Sequence, residues 1–202
     1  MSTSRNGNEI EALIRRSAWK PAQALIEKQL GKEPDDHWLW SRLSAVKYEQ
    51  RDYQAASDAA EKALAIVPDC PLALWSKASA LEMRGKTRDA IKVYIYLIIR
   101  GLSQLKSPDE DANECWEGVD WTLGLVADSS FRAAGCMAKT GRREKAVEMY
   151  LKLLSLPDMG IKGSIYSREE ILKRVNKLVP TKKARREAVM RRMMEKELIP
   201  SQ

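Results

Sequence analysis

The chain has 202 residues, 44% of them apolar and 31% charged, with a formal net charge of +7. That composition can bury a sizeable core, while a single Phe and few β-branched runs argue against a large sheet. The longest strongly apolar run, 93–99, falls far short of the roughly 20 residues that a membrane-spanning helix needs.

In chain order, a polar stretch over 1–8 is predicted to be flexible; it lacks the apolar segment of a secretory signal, and no cysteine is placed for C-terminal lipidation. These features predict a cytoplasmic protein. Ile10, Leu13 and Ile14 mark a short first helix. Trp19, Ala22, Ile26 and Leu30 mark a second, with Pro21 tolerated near its start and Gly31 and Pro34 after its end. From His37 to Cys70 the pattern repeats. Asp36 caps a helix carrying Trp40, Leu43 and Tyr48; Asp52 and Tyr53 stand at a turn; Ala56, Ala60, Ala63 and Leu64 share one face of the next helix, which Pro68 closes.

The third copy runs from Pro71 to about Gln104, with Leu74, Ala78, Leu81, Ala90, Tyr94 and Leu97, and with Gly85 at the turn between its helices. Ala22, Ala56 and Ala90 are 34 residues apart, as are Pro34 and Pro68. A fixed interval of that length is the mark of stacked helical hairpins, none of which can bury its apolar face alone.

From Ala90 to Ala146 the interval is 56, so about 22 residues are inserted, near 102–123. The insertion carries Asp109, Glu110, Asp111, Glu114, Glu117 and Asp120 together with Trp116 and Trp121, and Ser107 before Pro108 predicts a helix start there. Because the two Trp are five residues apart, only one is expected to face the core squarely. A fourth copy follows with Ala134, Met137, Gly141, Ala146, Tyr150, Leu153 and Pro157. Within 161–179, Ser167 and Glu170 form a capping box that opens a helix through Leu178, predicted to cover the last hairpin.

These residues resemble the tetratricopeptide repeat, most clearly over His37–Cys70 and Pro71–Gln104. The stretch 114–132 is also similar to the corresponding part of small bacterial repeat proteins of undefined role. The resemblance implies an all-α fold of antiparallel hairpins stacked as a right-handed solenoid over 9–160. It also implies that the first helix of each hairpin lines a concave groove for a protein or peptide partner. Carried onto this chain, the groove offsets select Trp38, Ser41, Arg42, Ala45 and Tyr48, then Leu72, Trp75, Ser76, Ser79 and Glu82, then Asp128, Phe131, Arg132 and Gly135. Trp40 and Leu74 fill the expected core positions, which leaves Trp38 and Trp75 as either ligand anchors or packing between units. Family members that dock the acidic tails of chaperones use Lys and Asn as a carboxylate clamp; here the matching positions hold Ser41, Ala45 and Ser76, which disfavours that ligand.

Signals for catalysis are lacking. There is no Gly-rich phosphate loop, no histidine cluster and no nucleophile elbow, and the carboxylates mostly stand beside Lys or Arg on solvated helix faces. Cys70, Cys115 and Cys136 have no metal-ligand spacing, and Cys136, among alanines, is predicted to be a buried core residue. His37 is the sole histidine, so a Cys–His pair requires the fold to bring it to a distant thiol. No catalytic residue, metal or cofactor is predicted.

The net charge is confined to the C-terminal fifth. Residues 162–202 hold twelve Lys or Arg against five Glu, and the remainder is neutral with 23 of each sign. The tail 180–202 carries Lys182, Lys183, Arg185, Arg186, Arg191 and Arg192 on a helical pattern with a thin apolar stripe. It suits contact with the acidic insertion or another subunit, solvation without a partner, or nucleic-acid phosphates. The absence of aromatics after Tyr166 weighs against base stacking and against a lipid interface. The sequence as a whole reads as a protein-interaction adaptor, with a nucleic-acid-associated protein as the alternative.

Overall fold

The computed structural model describes residues 5–106, 115–116, 118–154 and 166–179. Among these residues there are nine helices and no strand. They pair as antiparallel hairpins: α1 (Arg5–Arg15) with α2 (Trp19–Leu30), α3 (His37–Glu49) with α4 (Tyr53–Ile66), α5 (Pro71–Met83) with α6 (Thr87–Lys106), and α7 (Val119–Lys139) with α8 (Arg143–Leu153). Helix α9 (Arg168–Leu178) packs on α8. Besides its neighbours in sequence, α3 packs on α5, and α5 touches α7, so these first helices form one layer. Helix α1 begins at Arg5, within the polar stretch 1–8.

Local chemistry sets the helix boundaries. The Asp36 carboxylate accepts hydrogen bonds from the backbone N–H of Trp38 (2.8 Å) and Leu39 (3.1 Å) at the start of α3. Asp52 accepts from the Ala55 N–H at α4, and Ser167 from the Glu170 N–H at α9. Each hairpin turns through one residue of left-handed backbone: Ser17 (φ +56°), Arg51 (+64°), Gly85 (+74°) and Gly141 (+80°). The residue after each returns its N–H to the carbonyl five positions earlier, as in Asp52 to Lys47 and Lys86 to Leu81, both at 2.9 Å. These turns keep the 34-residue interval and are interrupted only by the insertion.

The core follows the repeat. Ala22, Ala56, Ala90 and Ala146 are all wholly buried, and a methyl side chain lets the paired helices approach closely. Four residues further along, the same repeat position holds Ile26, Ala60, Tyr94 and Tyr150, again buried. Where Ala78 and Ala134 stand in later hairpins, the second has Ser44, whose hydroxyl donates to the Ala56 carbonyl at 2.7 Å and so is satisfied inside the core.

Much of the insertion lengthens existing helices. Helices α6 and α7 have 20 and 21 residues against 13 for α3 and α5, and together they make the most extensive helix pair. They cross at Gly101, where an added Cβ would clash with Val126 Cγ2. Trp116 and Trp121 are both half-buried, with rings edge to face at 6.3 Å, so the aromatic pair shares the burial expected of one. The helix start expected at Ser107 lies outside the described residues, as does the basic tail.

Candidate partner-binding groove

The inner layer presents a row of half-buried polar and aromatic side chains: Trp38, Arg42 and Tyr48 from α3, Trp75 and Glu82 from α5, and Asp128 and Arg132 from α7. Four other residues expected in this row, Ser41, Ser76, Ser79 and Phe131, lie beneath it. Ser41 is buried, 3.8 Å from Cys70 Sγ; Ser79 is wholly buried against the Tyr94 hydroxyl at 3.1 Å; Phe131 is covered by Tyr166, which stacks on it at 3.6 Å between ring centroids. The repeat offset places these side chains on the right helix, but neighbours from other elements close over them.

The α5–α7 part of the row is one connected network. Arg132 reaches Glu82 on α5 at 3.3 Å and Asp128 one turn back on α7 at 3.2 Å, and its guanidinium lies over the Trp75 ring at 5.2 Å. The Trp75 Nε1–H donates to Asp128, as does the Tyr166 hydroxyl. Glu82 also accepts from Tyr94 and pairs with Lys139. Burial works against the charge on Arg132, but Tyr94 and Asp128 outweigh it and hold the guanidinium's affinity for its proton above the ordinary value. Burial, then the Asp128 charge, pushes the Tyr166 hydroxyl up to about 12. Tyr48 borders this network, its ring 6.3 Å from that of Trp75.

A second cluster occupies the α1–α3 end. Arg42 stands at the repeat position of Arg132 and pairs with Glu11 of α1 at 2.6 Å while lying over Trp38 at 5.2 Å. Trp38 also packs against the apolar cluster of the first two hairpins, and Trp75 against that of the third and fourth. Each surplus Trp is therefore half-buried, packed against an apolar cluster and overlain by an arginine. Trp40, expected in the core, is half-buried instead: its Nε1–H donates to the Pro34 carbonyl at 2.7 Å, and Lys62 caps its ring.

The sequence pattern gave no sign of a third grouping. His37 opens α3, Cys70 precedes α5, and Cys115 lies between α6 and α7, 78 residues from His37; yet His37 Nε2 is 3.1 Å from Cys115 Sγ. The donor atoms of all three residues lie within 4.8 Å of one another. Linear spacing does not register this grouping, because its three residues come from three separate elements. A hydrogen bond with Cys115 is the main cause holding the Cys70 thiol down to about 6, against burial, with help from the Ala73 N–H and Ser41. Cys136 is the opposite case: fully buried, with burial and the Glu82 charge pushing its thiol up to about 12.

Stacked antiparallel hairpins with this layered core define a tetratricopeptide-like helical solenoid. A solved structure described as the crystal structure of MamA is similar over 93% of this chain and 99% of its own, with a TM-score of 0.60 and 15% identity. At that identity the likeness is one of fold. No family model and no curated protein matches the chain. Among the described residues, no helix is long and apolar enough to cross a membrane.

Proposed function

We propose that the chain is a protein-interaction adaptor, without catalysis of its own, that holds a peptide or protein partner along the inner layer. The observation that carries this reading is the row Trp38, Arg42, Tyr48, Trp75, Glu82, Asp128 and Arg132, each of them half-buried on the first helices. Partly exposed Trp and Arg on a rigid layer are the residue types that dominate interface energies, with truncation costing roughly 2 kcal/mol or more. Their side chains are held by the cation–π and ion-pair contacts described above, so little rotamer freedom is left to lose on binding.

The test compares capture by the full chain with capture by Trp38→Ala, by Trp75→Ala, and by a variant with Lys182, Lys183, Arg185, Arg186, Arg191 and Arg192 all replaced by Gln, each with and without nuclease. A protein retained by the wild type and the tail variant, after nuclease, and lost from folded Trp38→Ala supports the adaptor. Loss on nuclease treatment or from the tail variant alone replaces it with the nucleic-acid reading, whose affinity would fall steeply with salt.

A further inference from the structure

The convergence of His37, Cys70 and Cys115 has no part in the groove. We propose that His37 Nε2, Cys70 Sγ and Cys115 Sγ form a binding site for a zinc-class divalent cation, with a fourth position left to water. The chemistry of the donors selects the ion: two thiolates and an imidazole suit borderline-soft d¹⁰ metals and are poor ligands for magnesium or calcium. Zn–S bonds of about 2.3 Å and Zn–N bonds of about 2.0 Å set the donors of a tetrahedral site roughly 3.5–3.8 Å apart. The observed donors, all within 4.8 Å of one another and 3.1 Å apart at the closest described contact, need only side-chain adjustments to meet that spacing.

Two thiolates neutralise the divalent charge, so the half-buried setting carries no uncompensated ion. Cys70 precedes the first turn of α5, where the helix end favours a thiolate, and the Ser41 hydroxyl at 3.8 Å lies behind the sulfur as an outer-shell group. His37 and Cys115 are half-buried and give the ion a route in from solvent, while Cys70, 3% exposed, forms the floor. A lone nucleophilic thiol would account for His37 and Cys115 but not for the second sulfur at the same point. The bound ion would tie Cys115 to the starts of α3 and α5.

The test titrates reduced, metal-free full-length protein with Zn²⁺ against a chromogenic chelator. One equivalent is expected to bind, with Cys115→Ser, Cys70→Ser and His37→Ala each lowering the affinity at least tenfold and Cys136→Ser keeping one equivalent. Cobalt(II) added in place of zinc is expected to give a thiolate charge-transfer band that weakens in each single cysteine variant. Cys115→Ser is the decisive variant, since it lies outside the helices, and unchanged helical circular dichroism without metal shows that its fold persists. No zinc uptake by the wild type, or equal affinity in Cys115→Ser, overturns the site. So does a Cys70–Cys115 disulfide whose reduction restores no zinc binding.

Discussion

The junction between the first two hairpins and the junction between the last two use the same device at different strengths. In both, an arginine at one repeat position reaches back to an acid on the preceding first helix: Arg42 to Glu11, and Arg132 to Glu82. Arg42 has a single carboxylate, and the pair is 21% and 30% exposed, whereas Arg132 bridges Glu82 and Asp128, only 13% and 14% exposed, inside a web that includes Trp75, Tyr94, Tyr166 and Lys139. The first junction keeps the regular interval, and the hairpins fit through apolar packing. The second follows the insertion, where two long helices must be held in register, and directional polar bonds supply what periodicity no longer does.

The largest effect that could break this comparison is expected at the helix crossing. Gly101→Ala would force a methyl group against Val126 and should cost about 2–3 kcal/mol in urea unfolding, with part of the loss recovered by adding Val126→Ala. A loss below about 0.5 kcal/mol would mean that α6 and α7 adjust freely, and the register argument would fall. Next, Arg132→Ala should cost about 2 kcal/mol, because it leaves two poorly solvated carboxylates side by side, while Arg42→Ala should cost no more than about 1 kcal/mol. Equal losses from thermal melts of the two variants would erase the distinction between the junctions.

Smaller effects sharpen the picture at the turns. Arg51→Gly should stabilise the protein by about 1 kcal/mol by relieving left-handed strain, and Gly85→Ala should destabilise it by a similar amount. A pH-dependent effect is expected in alkaline solution. Cys136 rises from an ordinary 9.0 to about 12 and Tyr166 from 10.0 to about 12, so both hold protons more tightly in the folded state. Their contribution is complete below pH 9 and is lost as the pH rises from there towards 12. Replacing Cys136 with Ala should flatten the part of this slope between pH 9 and 10, as read from urea midpoints across a pH series.

Much of the architecture was legible because it is periodic. The interval joining Ala22, Ala56 and Ala90 fixes the hairpin count, and Asp36 before an apolar run announces a helix start. Ser17 and Arg51 gave no turn signal, since only the later two turns use glycine. Gly101 gave none either, as one glycine in an apolar helix acquires meaning only from Val126 across the crossing. The offsets of the inner layer found Trp75, Glu82, Asp128 and Arg132, which the fold joins in one network, but burial of Ser79 and Phe131 is decided by Tyr94 and Tyr166 from other elements. The grouping of His37 with Cys70 and Cys115 was invisible because no local pattern links residues 78 apart.

The left-handed turns at 17, 51, 85 and 141 make this a molecule that can be edited by whole units. Each hairpin closes through the same left-handed region of backbone and presents a buried alanine at the same repeat position, so each unit stacks on its neighbours in the same way. Excision of 37–70 would join Asp36 to Pro71 and leave α2 facing α5, with Ala22 and Ala90 now one interval apart. Gain or loss of a complete hairpin thus changes the reach of the array while keeping the interval, and the cost falls on the one new junction, where Ala73, Lys77 and Ala80 would replace Leu39, Leu43 and Val46 against α2.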